Sequence, residues 1–180
     1  MRIKGLQDED FVNYKKPSMF IGTSICDWKC CTEQCLDKSI CQNSSLANSK
    51  TIDISADEIY RRYINNPITK AVVIGGLEPI LQFSEVLDLI YTFRNNRCFD
   101  DFVIYTGYYP SEIKHEIEEL ERCENIIIKF ARFLYNDKPI FDDVLGVTLA
   151  SSNQYAERMN WIWQSDYLKI KNESKKLDRN

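Results

Sequence analysis

Short apolar runs alternate along this chain with amphipathic stretches, and the alternation limits the folds that are open to it. Strand candidates lie at 19–23, 70–76, 101–107, 125–130 and 144–150. Helix candidates lie at 55–65, 84–96, 110–123 and from about 152 onward. The helix candidates rest on apolar residues three or four apart and on end signals such as Ser55 and Pro110. This order predicts an α/β fold, built as a partial (βα) barrel or as an open, mostly parallel sheet.

Composition places the chain among folded globular proteins. Hydrophobic residues make up 44% of its 180 residues, so we expect a single domain over 1–180 that ends in a polar tail over about 161–180. The formal net charge of −4 argues against a nucleic-acid partner. No run approaches the roughly 18 apolar residues that cross a bilayer, and the N-terminus has no signal-peptide stretch. We therefore expect a cytoplasmic protein without a membrane partner, in which thiols stay reduced.

Five of the seven cysteines fall within 24–45, at positions 26, 30, 31, 35 and 41. Structural zinc sites commonly use two C-x2-C pairs, and no pair here has that spacing. A C-x3-C pair in a loop after a strand is better suited to an iron–sulfur cluster, whose irons are held by cysteine thiolates. Zinc remains an alternative. Cys98 and Cys123 lie beside the ends of predicted elements, and we expect them to be structural.

Three segments that follow strand candidates carry most of the candidate site residues. They are the cysteine segment, "GGLEP" at 75–79 and "YTGY" at 105–108. Ligands of parallel α/β sheets gather at the carboxyl ends of the strands, so we expect these segments to converge on one rim. Gly75 and Gly76 allow backbone to approach a ligand closely, and Glu78 offers an acceptor for a cationic amine.

These motifs resemble those of the radical S-adenosylmethionine superfamily. Within it, the "CQN" at 41–43, the "YTGY" and the "SSNQ" at 151–154 are most similar to the activating proteins of anaerobic ribonucleotide reductase. The resemblance implies that Cys26, Cys30 and Cys41 hold a [4Fe-4S] cluster, with Cys35 as a rival third ligand and Cys31 as a weaker one. It further implies a set of residues that bind the cofactor: Asn43, Gly75, Gly76, Glu78, Pro79, Thr106 and Asn153.

The resemblance also implies a reaction. Three thiolates leave one iron of the cluster open for S-adenosylmethionine, which is cleaved reductively to a 5′-deoxyadenosyl radical. That radical would generate a glycyl radical on a partner such as anaerobic ribonucleotide reductase, with an electron donor of the flavodoxin type. Two alternatives are the same chemistry on another peptide or a small molecule, and a non-catalytic iron–sulfur or zinc module.

Three positions depart from the pattern of the activating proteins. Glu33 stands where the superfamily usually has its third cysteine, which gives this chain an enlarged cysteine loop. Leu77 is inserted between the glycine pair and Glu78. The segment "KFARF" at 129–133 lacks the acidic residue that the activating proteins carry there.

Overall fold

A computed structural model describes residues 1–160, and the polar tail predicted over about 161–180 lies outside the described residues. The strands are β1 (Arg2–Asp10), β2 (Ser18–Thr23), β3 (Ile52–Asp53), β4 (Ala71–Gly75), β5 (Asp101–Tyr105), β6 (Ile126–Phe130), β7 (Ile140–Asp142), β8 (Val147–Leu149) and β9 (Tyr155–Arg158). The α-helices are α1 (Lys29–Thr32), α2 (Ser44–Ala47), α3 (Ala56–Ile64), α4 (Phe83–Asn95) and α5 (Lys114–Leu120). Three short 3₁₀ turns span Lys38–Ile40, Pro79–Gln82 and Pro110–Glu112.

The main sheet has seven strands in the order β3-β1-β2-β4-β5-β6-β9. Its four central strands, β2, β4, β5 and β6, run parallel to one another. At one side β1 and β3 are antiparallel, and at the other side β9 is antiparallel to β6. Within residues 1–160 the sheet is open, with β3 and β9 at its edges. The prediction of an α/β fold with a mostly parallel sheet is confirmed, and the sheet of residues 1–160 does not close into a barrel.

The central strands form because they are almost wholly apolar. Every residue of β4 and β6 is buried, as expected for parallel strands that are covered on both faces. On one face lie α3 and α4. The Ser55 hydroxyl accepts the Glu58 N–H and caps α3 as predicted, and α3 ends at Ile64, one residue before the predicted end. Phe93 of α4 is fully buried and packs edge-on against Phe102 of β5, which fixes α4 on the sheet.

The opposite face is covered by the β1–β2 loop and the antiparallel hairpin of β7 and β8. Tyr14, Leu145 and Leu149 pack there against residues of β4, β5 and β6. The Lys15 N–H donates to the Leu145 carbonyl over 2.8 Å and joins loop and hairpin. This layer forms one wall of the site described below. No helix within residues 1–160 has the length and apolar character needed to cross a membrane.

The structure corrects the sequence predictions at three places. The helix expected from about 152 is wrong, because Tyr155–Arg158 instead pairs antiparallel with the edge of β6. The candidate strand at 144–150 is the shorter β8 and belongs to the separate hairpin, not to the main sheet. Pro110 begins a 3₁₀ turn, and the α-helix starts only at Lys114.

Candidate metal centre

A cavity of about 270 Å³ lies at the carboxyl ends of the central strands. The segments that follow β2, β4, β5 and β6 all contribute to its lining, as does β8. This is the rim on which the sequence predicted that the cysteine segment, "GGLEP" and "YTGY" would converge. The convergence follows from the parallel order of the strands, whose carboxyl ends meet at one edge.

The thiol-bearing residues Cys26, Cys30 and Cys41 all line this cavity. Cys26 follows β2, Cys30 lies on α1, and Cys41 follows the 3₁₀ turn Lys38–Ile40. Cys31 is buried, with its Sγ 3.9 Å from the Sγ of Cys30. Cys35 is exposed, at a turn with φ of 54°, and is absent from the lining. The described geometry thus separates Cys35 from the other four cysteines of the segment.

The thiols of Cys30 and Cys41 are electrostatically linked. A hydrogen bond from Cys30 lowers the pKa of the Cys41 thiol to about 6, and the same bond raises the pKa of Cys30. Burial raises the pKa of Cys26 to about 11. One thiol of the Cys30–Cys41 pair therefore ionises more readily than an isolated cysteine, and thiolates are the form that binds metal.

Two of these sulfurs receive backbone N–H groups from the residue two positions further on. The Trp28 N–H donates to Cys26 Sγ over 3.3 Å, and the Asn43 N–H donates to Cys41 Sγ over 3.4 Å. Trp28 adopts φ of 63°, a left-handed conformation that is uncommon outside glycine. Both turns hold a sulfur against an amide dipole, and such hydrogen bonds are one of the ways in which proteins tune iron–sulfur clusters.

Leu46 anchors the segment that follows Cys41. Its side chain lies over Gly5, Gly22 and Gly76, which form a floor without side chains at the end of the sheet. A Cβ at Gly76 would lie 2.4 Å from Leu46, and the φ of 80° at Gly76 also requires glycine. Gly76 is therefore needed for the docking of α2 as well as for its place in the cavity wall. Spacing along the sequence gave no sign of Leu46, because it acts only through the tertiary fold.

Glu78 is a buried carboxylate in the cavity wall, with 6% of its surface exposed. Its oxygens accept hydrogen bonds from the Ile80 N–H, the Thr106 hydroxyl and the Gly107 N–H, at 3.1, 2.7 and 2.8 Å. Burial raises its pKa to about 6, although these neutral donors favour the ionised form. The carboxylate is held rigidly but has no cationic hydrogen-bond partner among the described residues.

Lys129, at the end of β6, is the one basic side chain among the described residues that line the cavity. It is 6% exposed, and its ammonium donates to the Ala131 carbonyl over 3.0 Å. It stands in the segment where the activating proteins carry an acidic residue. The sequence showed this departure, but the position of the charge in the cavity wall appears only in the fold.

A network of charges and amides ties the cysteine segment to the loop after β6. The Arg132 guanidinium pairs with both oxygens of Glu112, at 2.6 and 2.7 Å, and with Glu33 at 2.8 Å. The hydrogen bonds from Arg132 lower the pKa of Glu112 to about 2. The Gln34 side chain donates to the Phe133 carbonyl and accepts the Tyr135 N–H. The enlarged cysteine loop is thereby fastened at its α1 end.

The cofactor-binding residues predicted from the resemblance fall into two groups. Asn43, Gly76, Glu78 and Thr106 line the cavity. Gly75 and Pro79 are buried next to it and are absent from the lining, and Asn153 bonds instead to the Arg132 carbonyl and the Ser151 hydroxyl. Gln154, which was not in the predicted set, does line the cavity.

The thiols that line the cavity are a donor set that iron–sulfur clusters use. Among residues 1–160, no group of three or more His, Cys, Asp and Glu side chains is placed so that it could hold a metal ion. A four-iron cluster does not need its ligands to converge on one point, because each thiolate binds a different iron. Cys26, Cys30 and Cys41 line one cavity, so their thiols are available to bind different irons of such a cluster.

The family comparison agrees with this chemistry. Residues 19–142 match the model of a family described as a 4Fe-4S single cluster domain, which is associated with proteins of the radical S-adenosylmethionine type. The match covers more than half of the chain, so the protein belongs to this family. A 4Fe-4S cluster-binding domain is thus indicated. No curated protein and no solved structure matched in the corresponding searches.

Proposed function

We propose that the protein is a radical S-adenosylmethionine enzyme that generates a glycyl radical on a partner protein. The observation that carries the proposal is the composition of one cavity wall, in which three thiols face the same space as a buried carboxylate. A cluster held by three thiolates keeps one iron free for a ligand. When bound, the cluster would supply the electron that cleaves S-adenosylmethionine to a 5′-deoxyadenosyl radical.

Glu78 is suited to hold the cationic amino group of the cofactor. A carboxylate offers about four lone-pair positions, and hydrogen bonds from Ile80, Thr106 and Gly107 occupy three. The remaining position lies in a cavity wall where Glu78 has no cationic hydrogen-bond partner from the described chain. Thr106 therefore acts as a positioning residue, because its hydroxyl is committed to Glu78.

The remainder of the cavity wall is suited to a flat, partly apolar group such as a nucleoside. Aromatic and aliphatic surface comes from four side chains, those of Phe20, Tyr105, Phe133 and Leu149. Such side chains exclude water and leave orientation to a few polar groups, as is usual in cofactor sites.

Exposed apolar residues at the cavity support a macromolecular substrate. Val12 lines the cavity and is 73% exposed, and the adjacent Phe11 is 62% exposed. Apolar residues on the surface beside a site are typical of surfaces that meet a partner. A glycine-bearing loop of a partner reductase would complete the site, with a donor of the flavodoxin type as the source of electrons.

The test is anaerobic reconstitution with iron and sulfide, followed by reduction with dithionite in the presence of S-adenosylmethionine. We expect 5′-deoxyadenosine to form in proportion to the cluster, and Cys41→Ala to form none. A fully loaded cluster that yields no 5′-deoxyadenosine would contradict the enzymatic proposal. Activation is tested separately, by a glycyl-radical signal in electron paramagnetic resonance after a candidate reductase is added.

One observation favours a second candidate, a non-catalytic module with a fully thiolate-ligated cluster. The buried Cys31 thiol lies beside Cys30 and also hydrogen-bonds towards Cys41, so a fourth thiol is at hand. Cys31→Ala separates the two candidates. The proposed enzyme keeps its cluster and its cleavage activity in this variant, whereas a four-cysteine module loses the cluster.

A further inference from the structure

Lys129 is a charged residue in a strand position where the fold otherwise places apolar side chains. It belongs to β6, every residue of which is buried, and its neighbours Ile128 and Phe130 lie in the main core. Taking an ammonium out of water costs several kcal/mol unless other groups compensate for the lost hydration. A methionine or leucine would fill such a position without that cost. The charge therefore calls for an explanation beyond packing.

The partners of Lys129 within the chain are few. Its ammonium has three N–H donors and gives one hydrogen bond, to the Ala131 carbonyl. No ion pair with this ammonium occurs among residues 1–160. Lys129 lines the same cavity as Cys26, Cys30 and Cys41.

The charge state of Lys129 is set by two opposing influences. Burial lowers its pKa to about 8, and the negative charge of Glu78 acts to raise it. The hydrogen bond to the Ala131 carbonyl and the nearby carboxylate of Glu78 both favour the positively charged form of the side chain. The groups that favour this charge, Glu78 and the Ala131 carbonyl, belong to residues that line the cavity.

We propose that Lys129 compensates the charge of the cluster, so that its ammonium stabilises the reduced state and raises the reduction potential. One electron passes from a low-potential reductant to the cluster, and Lys129 stays protonated throughout. The inference rests on the proposed cluster and its cysteines, but not on the cleavage of S-adenosylmethionine.

The direction of the effect follows from electrostatics. Three thiolates make the site anionic, and reduction adds a further negative charge. A fixed cation in a cavity wall of low dielectric favours the state with more negative charge. Net charge near a cluster is among the quantities that set its potential. Removing the ammonium should therefore make the cluster harder to reduce.

The experiment compares Lys129→Gln, which keeps a hydrogen-bond donor for Ala131 but no charge, with Lys129→Arg, which keeps the charge. The reconstituted proteins are titrated anaerobically without S-adenosylmethionine, and the reduced cluster is followed by electron paramagnetic resonance. For Lys129→Gln we expect about a tenfold smaller equilibrium constant for reduction, equivalent to about 59 mV for one electron. Lys129→Arg should stay within about threefold of the wild type.

Lys70→Gln is the matched control. Lys70 is an exposed lysine immediately before β4, at the opposite end of the sheet, and its loss should leave the potential unchanged. An unchanged potential in Lys129→Gln overturns the proposal. So does an equal shift in Lys129→Arg, or a weaker affinity for S-adenosylmethionine with no change of potential.

Iron and sulfide contents and circular dichroism are measured on every variant. A folded Lys129→Gln that takes up no cluster, beside a Lys129→Arg that does, supports the proposal, because the charge is then required even for assembly. Loss of the cluster from both folded variants overturns it. If the wild-type cluster leaves S-adenosylmethionine intact, the proposed function is wrong. The comparison of reduction potentials still tests the role of Lys129 in that case.

Discussion

Two buried carboxylates, Glu78 and Asp101, lie at opposite ends of neighbouring parallel strands and are compensated in different ways. Glu78 follows β4 at its carboxyl end, and Asp101 begins β5 at its amino end. Their exposed fractions are almost the same, 6% and 4%. Burial alone would therefore raise the pKa of both groups by the same mechanism.

Asp101 is matched by charges that belong to the fold. It accepts hydrogen bonds from Lys16 at 2.5 Å, Arg158 at 3.0 Å and the Tyr14 hydroxyl at 2.9 Å. Burial acts to raise its pKa, but these hydrogen bonds outweigh it and hold the pKa below its ordinary value. Asp101 thus joins the β1–β2 loop, β5 and β9 at the end of the sheet away from the cavity.

Glu78 receives only neutral donors, and burial leaves its pKa raised, at about 6. The contrast teaches that burial by itself does not mark a binding residue. What distinguishes Glu78 is a buried negative charge that the described chain leaves without a cationic hydrogen-bond partner, beside a cavity. A ligand that brings a cation can supply what Lys16 and Arg158 supply to Asp101.

The largest expected effect is on the cluster content of cysteine variants. The content should depend on cysteines that line the cavity and not on a cysteine at the opposite end of the sheet. Replacing Cys26, Cys30 or Cys41 by alanine should abolish the cluster, because each proposed ligand binds a different iron. Cys98→Ala, near the amino end of β5, should leave the iron and sulfide content unchanged, as should Cys35→Ala. Iron analysis and the absorption of the reconstituted proteins measure this. A full cluster in Cys41→Ala would remove Cys41 from the ligand set.

The next effect concerns the affinity for S-adenosylmethionine. Glu78→Gln keeps the shape of the side chain but removes the charge that the amino group would meet. A hydrogen bond to a charged group contributes about 2 kcal/mol, so we expect roughly 30-fold weaker binding by equilibrium dialysis. Asp101→Asn is the control and should bind as the wild type does. Equal losses in the two variants would break the contrast between the two carboxylates.

The free energy of unfolding should fall more in Asp101→Asn than in Glu78→Gln, the reverse of the order expected for binding. Asp101→Asn turns a carboxylate oxygen into a donor that faces Lys16 or Arg158, and we expect it to lower the free energy of unfolding by about 2 kcal/mol. In Glu78→Gln the new amide donor faces only a neutral N–H or hydroxyl. We therefore expect the free energy of unfolding to fall by about 1 kcal/mol. Chemical denaturation of the cluster-free proteins gives both values. A larger loss for Glu78→Gln would show that its carboxylate is the more structural one.

The smallest expected effect is the pH dependence of the stability difference between the wild type and Asp101→Asn. The folded pKa of Asp101 lies below its unfolded value of about 3.9, so its contribution is present above that pH and is lost as the pH falls through the folded pKa. The stability difference between the wild type and Asp101→Asn should therefore shrink below about pH 4. A difference that stays constant down to the acid limit of the folded state would mean that Lys16, Arg158 and Tyr14 do not act through the charge.

Elements that carry their own pattern could be predicted from the sequence. The apolar runs of β4 and β6 and the Ser55 cap of α3 are local signals, and the structure has all three. β1 and β9 were missed because they exist by pairing with β2 and β6, while their own residues are largely polar. Edge strands of this kind depend on a partner more than on an intrinsic pattern.

The candidate site also combines features with a local sequence pattern and features that depend on the tertiary fold. The cysteine spacing and "GGLEP" pointed to a rim, because they lie directly after strands whose order the sequence reveals. Leu46 and Lys129 act across the fold, one on a floor of glycines and the other from the end of β6. Leu46 is not unusual along the chain, and Lys129 shows there only as part of a departure from a motif, so only the tertiary structure gives them a role.

The edges of the sheet also bear on how the protein behaves at high concentration. β3 pairs with β1 only at Arg2 and Ile3, which leaves the rest of β1 as an outer edge. That edge is not an apolar ladder, since Asp8 forms an ion pair with Arg62, and β9 at the far side carries Glu157 and Arg158. Charged and very short edges resist strand-to-strand aggregation between copies. The described edges of the sheet are therefore poor templates for strand addition from a second copy of the chain.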